Sequence, residues 1–365
     1  MQEPDVVEKI RKSYKFVDVI FGTFNIFKIA ELLYTHWQQA GQIIDIWDST
    51  KDVVEELPTQ RKFPFKSGVN IMYGCNNFCT YCIVPYVRGR ERSRSIENIV
   101  DEVRQAVVKG YKEFTLLGQN VNSYGKDFGV KDQFAKLLRR VNEIPGVERI
   151  RYMTSHPRDM HEDVIKAVAE CEHICENFHI PFQSGSNKIL KAMNRGYTRE
   201  KYIELIDYAR EKMGDALSLT SDVIVGFPGE THEEFLDTLS LVERVEPTSL
   251  FTFIYSPRKG TPAAEMPDPV DHREKTRWFK ELTDLQEKIS AKKMASCAGK
   301  AFKCFVTGRG KLGDTYLAAR TDGNLIVEFE GDDSLIGTFQ NIKVTQPLTF
   351  VLKGELLGER KELSL

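Results

Sequence analysis

Apolar and polar positions follow two alternating patterns through the middle of this chain. Short apolar runs rich in β-branched and aromatic residues are separated by amphipathic segments with apolar residues at helical spacing. Six such runs occur, in the order GVNIMY, EFTLLG, ERIRYM, ENFHIPF, SLTSDVIVGF and SLFTFIY. Six strands that alternate with helices predict an α/β fold with a parallel sheet and right-handed crossovers, either open or partly closed into a barrel.

Two of the intervening segments carry clear helix signals. SIENIVDEVRQAVVKG has apolar residues at helical spacing and stops at Gly110, and THEEFLDTLSLVERV opens with Thr231 and Glu234 placed as a capping box. In parallel α/β folds, ligands bind at the C-terminal ends of the strands. Functional residues are therefore expected on the loops that follow the strands.

The pattern changes at both ends of the chain, which predicts three parts, 1–62, 63–296 and 297–365. Prolines 257, 262, 267 and 269 interrupt the alternation of strands and helices. A charged helix is predicted from about 271 to 296 and fits the role of a linker. After Gly299, short alternating strands with turn glycines predict a small antiparallel β-barrel. Before residue 62 we expect one strand and one helix, too few elements for a core of their own.

Composition excludes a few classes of protein. The chain has 365 residues, of which 41% are hydrophobic and 28% charged, and its formal net charge is -2, so disorder is not indicated. The near-neutral net charge neither indicates nor excludes a nucleic-acid partner. No apolar run approaches the length of about 18 residues that a membrane span needs, and the first twenty residues lack the apolar region of a secretion signal. We expect no membrane partner and a cytoplasmic location.

The strongest chemical signal is YGCNNFCTYCIVP, which places Cys75, Cys79 and Cys82 directly after the first predicted strand. Such a cluster in a chain without a secretion signal favours metal binding over disulfides. Three thiolates could hold three irons of a cubane cluster and leave the fourth iron open for a ligand, whereas most clusters have four thiolates. A zinc site completed by a distant Cys or His, and three ordinary cysteines, are the alternatives.

The spacing CxxxCxxC, with Tyr81 before the last cysteine, resembles the radical S-adenosylmethionine enzymes. The resemblance implies a radical SAM partial (βα)6 barrel and one 4Fe-4S cluster on the three cysteines. It also implies S-adenosylmethionine on the open iron, cleaved to a 5′-deoxyadenosyl radical, and an electron donor such as flavodoxin or ferredoxin. The cofactor-binding residues that it implies, from the ends of strands two, four and five, are Tyr81, Gly118, Gln119, Gln183, Ser184, Ser186, Arg195 and Gly226.

The text around these strand ends resembles the methylthiotransferases, and within them the MiaB-like branch. The matching pieces are VRGRERSRS, LLGQNVNSYGKD, TSHPRDM, HIPFQSGSNKILKAMNRGYT and FIYSPRKGTPAA, and the likeness covers essentially the whole chain. It implies a methylthio group added at C2 of N6-isopentenyladenosine in a tRNA anticodon stem-loop, with a C-terminal TRAM-like RNA-binding barrel. Methylthiotransferases of threonylcarbamoyladenosine or of a ribosomal-protein aspartate remain alternatives, as does a chain that only binds RNA.

Substrate contacts are assigned from polar residues near the predicted cluster. The string Arg88, Arg90, Arg92 and Arg94 suits phosphates, although such strings are usually solvated surface. Asn120, Asn122 and Tyr124 follow the strand-two glycine and are candidates to read the adenine, although polar residues on such loops are often turn formers. His156 and His179 lie at strand ends, as structural residues or as substrate contacts. No catalytic residue beyond the cluster ligands is identified.

One departure from the methylthiotransferase pattern concerns the other cysteines. The resemblance implies three more cysteines in an N-terminal domain, for an auxiliary 4Fe-4S cluster that carries the sulfur. No cysteine precedes Cys75, and Cys171, Cys175, Cys297 and Cys304 do not match the expected positions. The first 62 residues resemble only the closing third of that domain, an N-terminally truncated remnant. We therefore expect this polypeptide to bind one cluster and cleave S-adenosylmethionine, but to modify tRNA poorly or not at all.

Overall fold

The computed structural model describes residues 4–39, 41–47, 49–50, 53, 55 and 60–358. Its first part contains α1 (Pro4–Ser13), β1 (Val19–Phe21), α2 (Ile29–Gln38) and β2 (Ile43–Asp45). The two strands pair in parallel. The expectation of one strand and one helix was therefore too low by one of each, because α1 is too polar and β2 too short to register as apolar runs.

The central part contains the six predicted strands. Its strands are β3 (Lys66–Asn70), β4 (Met72–Tyr73), β5 (Arg92–Ser93), β6 (Glu113–Leu117), β7 (Arg149–Tyr152), β8 (Asn177–His179), β9 (Ser218–Val225) and β10 (Ser249–Ile254). β3, β6 and β7 form one parallel sheet, and β8, β9 and β10 form another. A bridge from Ile150 to Ile174 connects β7 to the segment before β8. The predicted partial barrel of six parallel strands is confirmed.

Six helices cover the outer side of these strands: α4 (Ile96–Val108), α5 (Gln133–Asn142), α6 (Glu162–Glu170), α8 (Arg199–Met213), α9 (His232–Val245) and α10 (His272–Ala295). Two short helices, α3 (Val84–Arg88) and α7 (Asn187–Ala192), contribute no residue to the core beneath that layer. Ser95 caps α4, and the predicted capping box of Thr231 and Glu234 begins α9. Because β9 alternates, Leu219, Val223 and Val225 pack under the helices. Thr220, Asp222 and Ile224 face the concave side of the sheet.

The last part is a closed barrel of five strands, β11 (Ala301–Arg309), β12 (Tyr316–Arg320), β13 (Ile326–Glu330), β14 (Phe339–Pro347) and β15 (Leu352–Leu356). The prediction of an antiparallel barrel needs two corrections. β15 was not predicted, because its sequence LKGEL has no apolar run, and it closes the barrel by pairing in parallel with β13. Phe305 and Phe329 are fully buried, whereas Phe302 and Phe339 are half-buried.

Two arginines of β7 attach the barrel to the sheet. The Arg149 guanidinium donates to the carbonyl of Arg320 at 2.9 Å and lies 2.7 Å from an Asp322 carboxylate oxygen. Arg151 donates to the carbonyl of Thr321 at 2.7 Å. Both contacts lie at the N-terminal edge of the strands, opposite to the edge where ligands are expected.

Candidate active site at the cysteine loop

The three cysteines lie on a loop between β4 and α3, beyond the C-terminal end of β3. Gly74 opens this loop with φ +78, and a Cβ there would lie 2.2 Å from the carbonyl oxygen of Arg90. Its N–H donates to Gln119 Oε1 at 2.7 Å, and the N–H of Cys75 donates to the carbonyl of Gly89 at 3.1 Å. The loop is thus held against the end of β6 and against the segment that leads to β5.

The far side of the cysteine loop is attached to the turn after α7. The N–H and hydroxyl of Thr80 donate to the carbonyls of Met193 and Ala192, at 3.1 and 2.9 Å. The Asn194 side-chain amide donates to the carbonyls of Asn77 and Phe78, at 3.2 and 3.0 Å. These hydrogen bonds join residues that are more than 110 positions apart in the sequence. The fold, rather than proximity in the sequence, therefore brings the predicted cofactor segments together.

All seven cysteines are free thiols, and only the three on the loop lie at this edge. Burial raises the pKa of Cys75 to about 12 and also raises that of Cys82. Thiolates in this loop therefore need positive charge beside them. Among the described residues, no group of three or more His, Cys, Asp or Glu surrounds a single metal ion. An iron–sulfur cluster binds each thiolate through a different iron, so its cysteines need not converge on one metal ion. The three cysteines of this loop therefore fit such a cluster.

The other cysteines lie elsewhere. Cys171 and Cys175 follow α6, which ends at Glu170, and precede β8, at the opposite edge of the sheet. Cys297 and Cys304 pack in the core of the C-terminal barrel. A fourth thiol for the loop is therefore not supplied by any of them.

Arg195 connects the cysteine loop to the strand-four segment. Its side chain is only 4% exposed. The guanidinium donates to Cys79 Sγ and to the Tyr81 hydroxyl, both at 3.3 Å, and to the carbonyl of Pro181 at 2.6 Å. A buried cation with neutral partners is costly unless an anion lies beside it. The surroundings of Arg195 therefore suit a cluster of thiolates or a ligand carboxylate.

Gln183 has two unusual features. It adopts φ +67, a left-handed conformation that is rare for a residue other than glycine. Its Oε1 atom is buried and has no hydrogen-bond partner among the described residues. Backbone strain and an unpaired buried acceptor are both typical of a binding site. Its neighbours differ, because Ser184 accepts from the N–H of Ser186 at 3.2 Å and so stabilises the turn into α7.

The strand-five turn is built around a buried carboxyl group. The N–H of Gly226, at φ +70, donates to Glu230 Oε2 at 2.6 Å. A Cβ on Gly226 would lie 2.5 Å from the Lys275 side chain. Burial raises the pKa of Glu230 to about 7, against the N–H groups of Gly226 and Phe227, which lower it. At strand two, a Cβ on Gly118 would lie 2.7 Å from Met72 Cγ. A side chain at either position would therefore have to displace its neighbour.

Asn120 and Asn122, the candidates to read adenine, are buried in a network after β7. Asn120 donates to Asp159 at 2.6 Å, and both asparagines accept from the N–H of His156, at 3.1 and 2.9 Å. Tyr124 is 2% exposed and donates its hydroxyl to the carbonyl of Arg94 at 2.6 Å. These side chains have internal partners, and their role as substrate contacts stays a prediction.

His156 is held in one state by its surroundings. Its Nδ1 accepts from the N–H of Arg158 at 3.2 Å, so the proton of the neutral ring lies on Nε2. Burial, helped by the nearby Arg195, lowers its pKa to about 2. Nε2 and the hydroxyl of the adjacent Ser155 are buried without a partner among the described residues. The sequence assigned no role to Ser155, although this residue lies in TSHPRDM, or to Glu230.

The arginine string does not act as a unit. Arg88 and Arg90 are exposed, and Arg90 stacks on Phe78 of the cysteine loop at 4.3 Å from the ring centre. Arg92 is half-buried over the ring of Phe24. Arg94 is buried and donates to Glu102 at 2.7 Å, so it is a structural residue. Only the first two present their charges to solvent near the cysteines.

One cavity among the described residues lies away from this site. It has a volume of about 720 Å³ and lies at the N-terminal edge of the strands, between β9, α10 and the C-terminal barrel. Its lining includes Lys293, Lys300 and Asp322, and it contains no residue of the cysteine loop. The chemistry of the cysteine loop, rather than cavity size, therefore locates the candidate site.

Among the described helices, none combines the length and apolar character needed to cross a bilayer.

Comparison with known families agrees with the geometry. A model described as the Radical SAM superfamily matches residues 69–242, from β3 into α9. This segment contains the cysteine loop and the predicted cofactor residues of strands two, four and five. The chain therefore belongs to the class of radical SAM proteins.

Similar chains narrow the class. Proteins named tRNA-2-methylthio-N(6)-dimethylallyladenosine synthase from Thermoanaerobacter pseudethanolicus and Acetivibrio thermocellus are 52% and 50% identical to this chain. Each alignment covers 98% of this chain, and 76% and 74% of the respective relative. The chain thus belongs to the family of radical SAM methylthiotransferases that bears this name. The predicted family, and the 4Fe-4S cluster and S-adenosylmethionine that the family implies, are confirmed.

Proposed function

We propose that this chain takes part in adding a methylthio group to C2 of N6-dimethylallyladenosine in the anticodon stem-loop of a tRNA. The choice of reaction rests on the names of the two similar proteins reported above. The contact of Arg195 with Cys79 and Tyr81 supports the cofactor site, since it joins the three-cysteine loop to the strand-four segment. A flavodoxin-like or ferredoxin-like protein would supply electrons.

The protein residues have distinct tasks in this reaction. Cys75, Cys79 and Cys82 would hold the cluster, which with S-adenosylmethionine supplies a 5′-deoxyadenosyl radical. Arg195 offers guanidinium N–H groups to an anion beside Cys79, because its present partners are neutral. Gln183 Oε1 offers an unpaired acceptor in the same region.

Water is excluded from one side of the cysteine loop by an apolar cluster. Tyr81 packs there with Ile189, Met193, Phe227 and Ala263, all four of which are at most 1% exposed. A reactive radical is protected when its surroundings are dry and rigid. The hydrogen bonds from Thr80 and Asn194 to their partners supply that rigidity.

The test is an anaerobic incubation of iron-reconstituted protein with dithionite, S-adenosylmethionine, sulfide and one of three anticodon stem-loop RNAs. The RNAs carry dimethylallyladenosine, threonylcarbamoyladenosine or unmodified adenosine at the same position. We expect that whatever methylthio nucleoside forms, read by mass spectrometry, comes only from the dimethylallyl RNA. Product from the threonylcarbamoyl RNA alone would replace this proposal with the alternative substrate.

A further inference from the structure

The concave side of β8, β9 and β10 carries residues that the site described above does not use. Strand register places His179 beside Thr220, Phe251 beside Asp222, and Phe253 beside Ile224. The intervening residues of β9 are buried under the helices. His179, Asp222, Phe251 and Phe253 therefore lie on one surface, which we name the concave aromatic face.

This face is unusually apolar for an exposed surface. Phe251 and Phe253 are each 53% exposed, although both belong to a strand whose other face packs on α10. The rings of Phe251 and His179 meet edge to face with centres 5.7 Å apart. Exposed aromatic side chains beside a functional site favour a ligand with an apolar or aromatic surface.

Polar groups stand next to the two phenylalanines. His179 Nδ1 lies 3.0 Å from the Thr220 hydroxyl, and its Nε2 lies 3.4 Å from Asp222 Oδ1. The face thus combines two aromatic rings, a carboxylate and an imidazole. That combination suits a nucleobase with an apolar substituent, and it opposes a substituent that carries its own carboxylate.

The concave aromatic face is continuous with the cysteine loop. Ile224, the register partner of Phe253, packs against the apolar cluster that contains Phe227, Met193 and Tyr81. Tyr81 directly precedes Cys82. A base bound over Phe251 and Phe253 would therefore lie on the surface that leads to the predicted cluster.

We infer that the concave aromatic face binds the N6-substituted adenosine of the RNA, with Phe251 and Phe253 packing on the dimethylallyl chain. Asp222 disfavours the threonylcarbamoyl group, which carries a negative charge. The inference rests on the proposed function and adds the residues that select the N6 substituent.

The test is equilibrium binding of the same three RNAs to the full chain, reconstituted with iron and sulfide, without S-adenosylmethionine. We expect the wild type to bind the dimethylallyl RNA more tightly than the unmodified RNA. Phe251→Ala and Phe253→Ala should each weaken binding of the dimethylallyl RNA by about tenfold, with little effect on the unmodified RNA. Asp222→Asn should raise the affinity for the threonylcarbamoyl RNA.

A matched control is Leu236→Ala, which removes a 46% exposed apolar side chain from α9, on the other side of the sheet. It should leave all three affinities unchanged. A wild-type preference that survives both phenylalanine substitutions would overturn this assignment alone, and so would an equal loss for all three RNAs, since the face would then hold another part of the RNA. A wild type without preference would overturn the proposed function together with this inference.

Discussion

Arg195 illustrates how one buried residue organises the site. Its guanidinium reaches Cys79, Tyr81 and the carbonyl of Pro181 at once, which a lysine ammonium could not do with the same geometry. The sequence singled out Arg195 from its motif context, and the structure places it against a predicted cluster ligand. Its surroundings could not be derived from the sequence, because Pro181 and Cys79 reach it only through the fold.

Arg195→Lys should weaken binding of S-adenosylmethionine to the reconstituted protein by about tenfold or more, because the fork of N–H donors is lost. Equilibrium dialysis measures the Kd, and iron analysis should show an unchanged cluster content. Arg244→Lys, at an exposed pair with Asp207, is the control. An unchanged Kd in Arg195→Lys would show that the guanidinium does not contact the cofactor.

Glu230 has a stability consequence with a definite sign. Its pKa in the fold is about 7, above the ordinary value of 4.5, because the group is buried. The fold therefore favours the protonated form, and this contribution to stability is fully present below pH 4.5 and is lost as pH rises towards 7.

We expect Glu230→Gln to gain stability relative to the wild type by about 3 kcal/mol between pH 4.5 and pH 7, since the amide cannot ionise. Urea unfolding followed by circular dichroism, at several pH values, measures the difference in free energy of unfolding. A difference that stays constant with pH would contradict the raised pKa. Glu233→Gln, at an exposed site in the first turn of α9, is the control.

At the scale of elements, local signals predicted the fold well. The caps of α4 and α9 and the alternation of β9 depend on neighbouring residues, so the sequence displays them directly. β15 escaped prediction because its pairing with β13 and β14, rather than its own composition, makes it a strand. Likewise, the unpaired atoms of Ser155 and Gln183 result from packing between distant segments.

The cysteine loop depends on Gly74. In Gly74→Ala the new Cβ would meet the backbone of Arg90 at 2.2 Å, so the loop must move. We expect the iron content after reconstitution to fall well below that of the wild type, while far-ultraviolet circular dichroism stays the same.

Gly129→Ala is the control, because it introduces backbone strain at a positive φ without a steric clash. Gly129 also has positive φ, at +72, but a Cβ there would meet nothing within 4 Å. This variant should keep its iron. Equal iron in Gly74→Ala and the wild type would show that the cluster does not require the observed loop conformation.

At the scale of the whole molecule, the barrel is fixed to the sheet by buried charge. Arg149 is 1% exposed and lies between Asp322 of the barrel and Glu113 of β6, at 2.7 and 3.6 Å. No sequence pattern pairs these residues, which lie on two different parts of the chain. The contact gives the C-terminal barrel a defined position relative to the site.

Arg149→Met should lower the free energy of unfolding by about 3 kcal/mol, because two carboxylates lose their buried partner. Denaturant unfolding measures this, and limited proteolysis should show faster release of the barrel. Arg139→Met, which breaks an exposed pair with Glu170, should cost at most about 1 kcal/mol. Equal stability of the two variants would mean that the barrel is held by other contacts.

The central claim is that the three-cysteine loop holds a cluster that cleaves S-adenosylmethionine. The most direct measurement is 5′-deoxyadenosine formed anaerobically with dithionite by the iron-reconstituted wild type, by Cys79→Ser and by the control Cys171→Ser. We expect 5′-deoxyadenosine from the wild type and the control, and none above background from Cys79→Ser. Equal formation by all three proteins, or none by a wild type whose iron content confirms reconstitution, would contradict the claim.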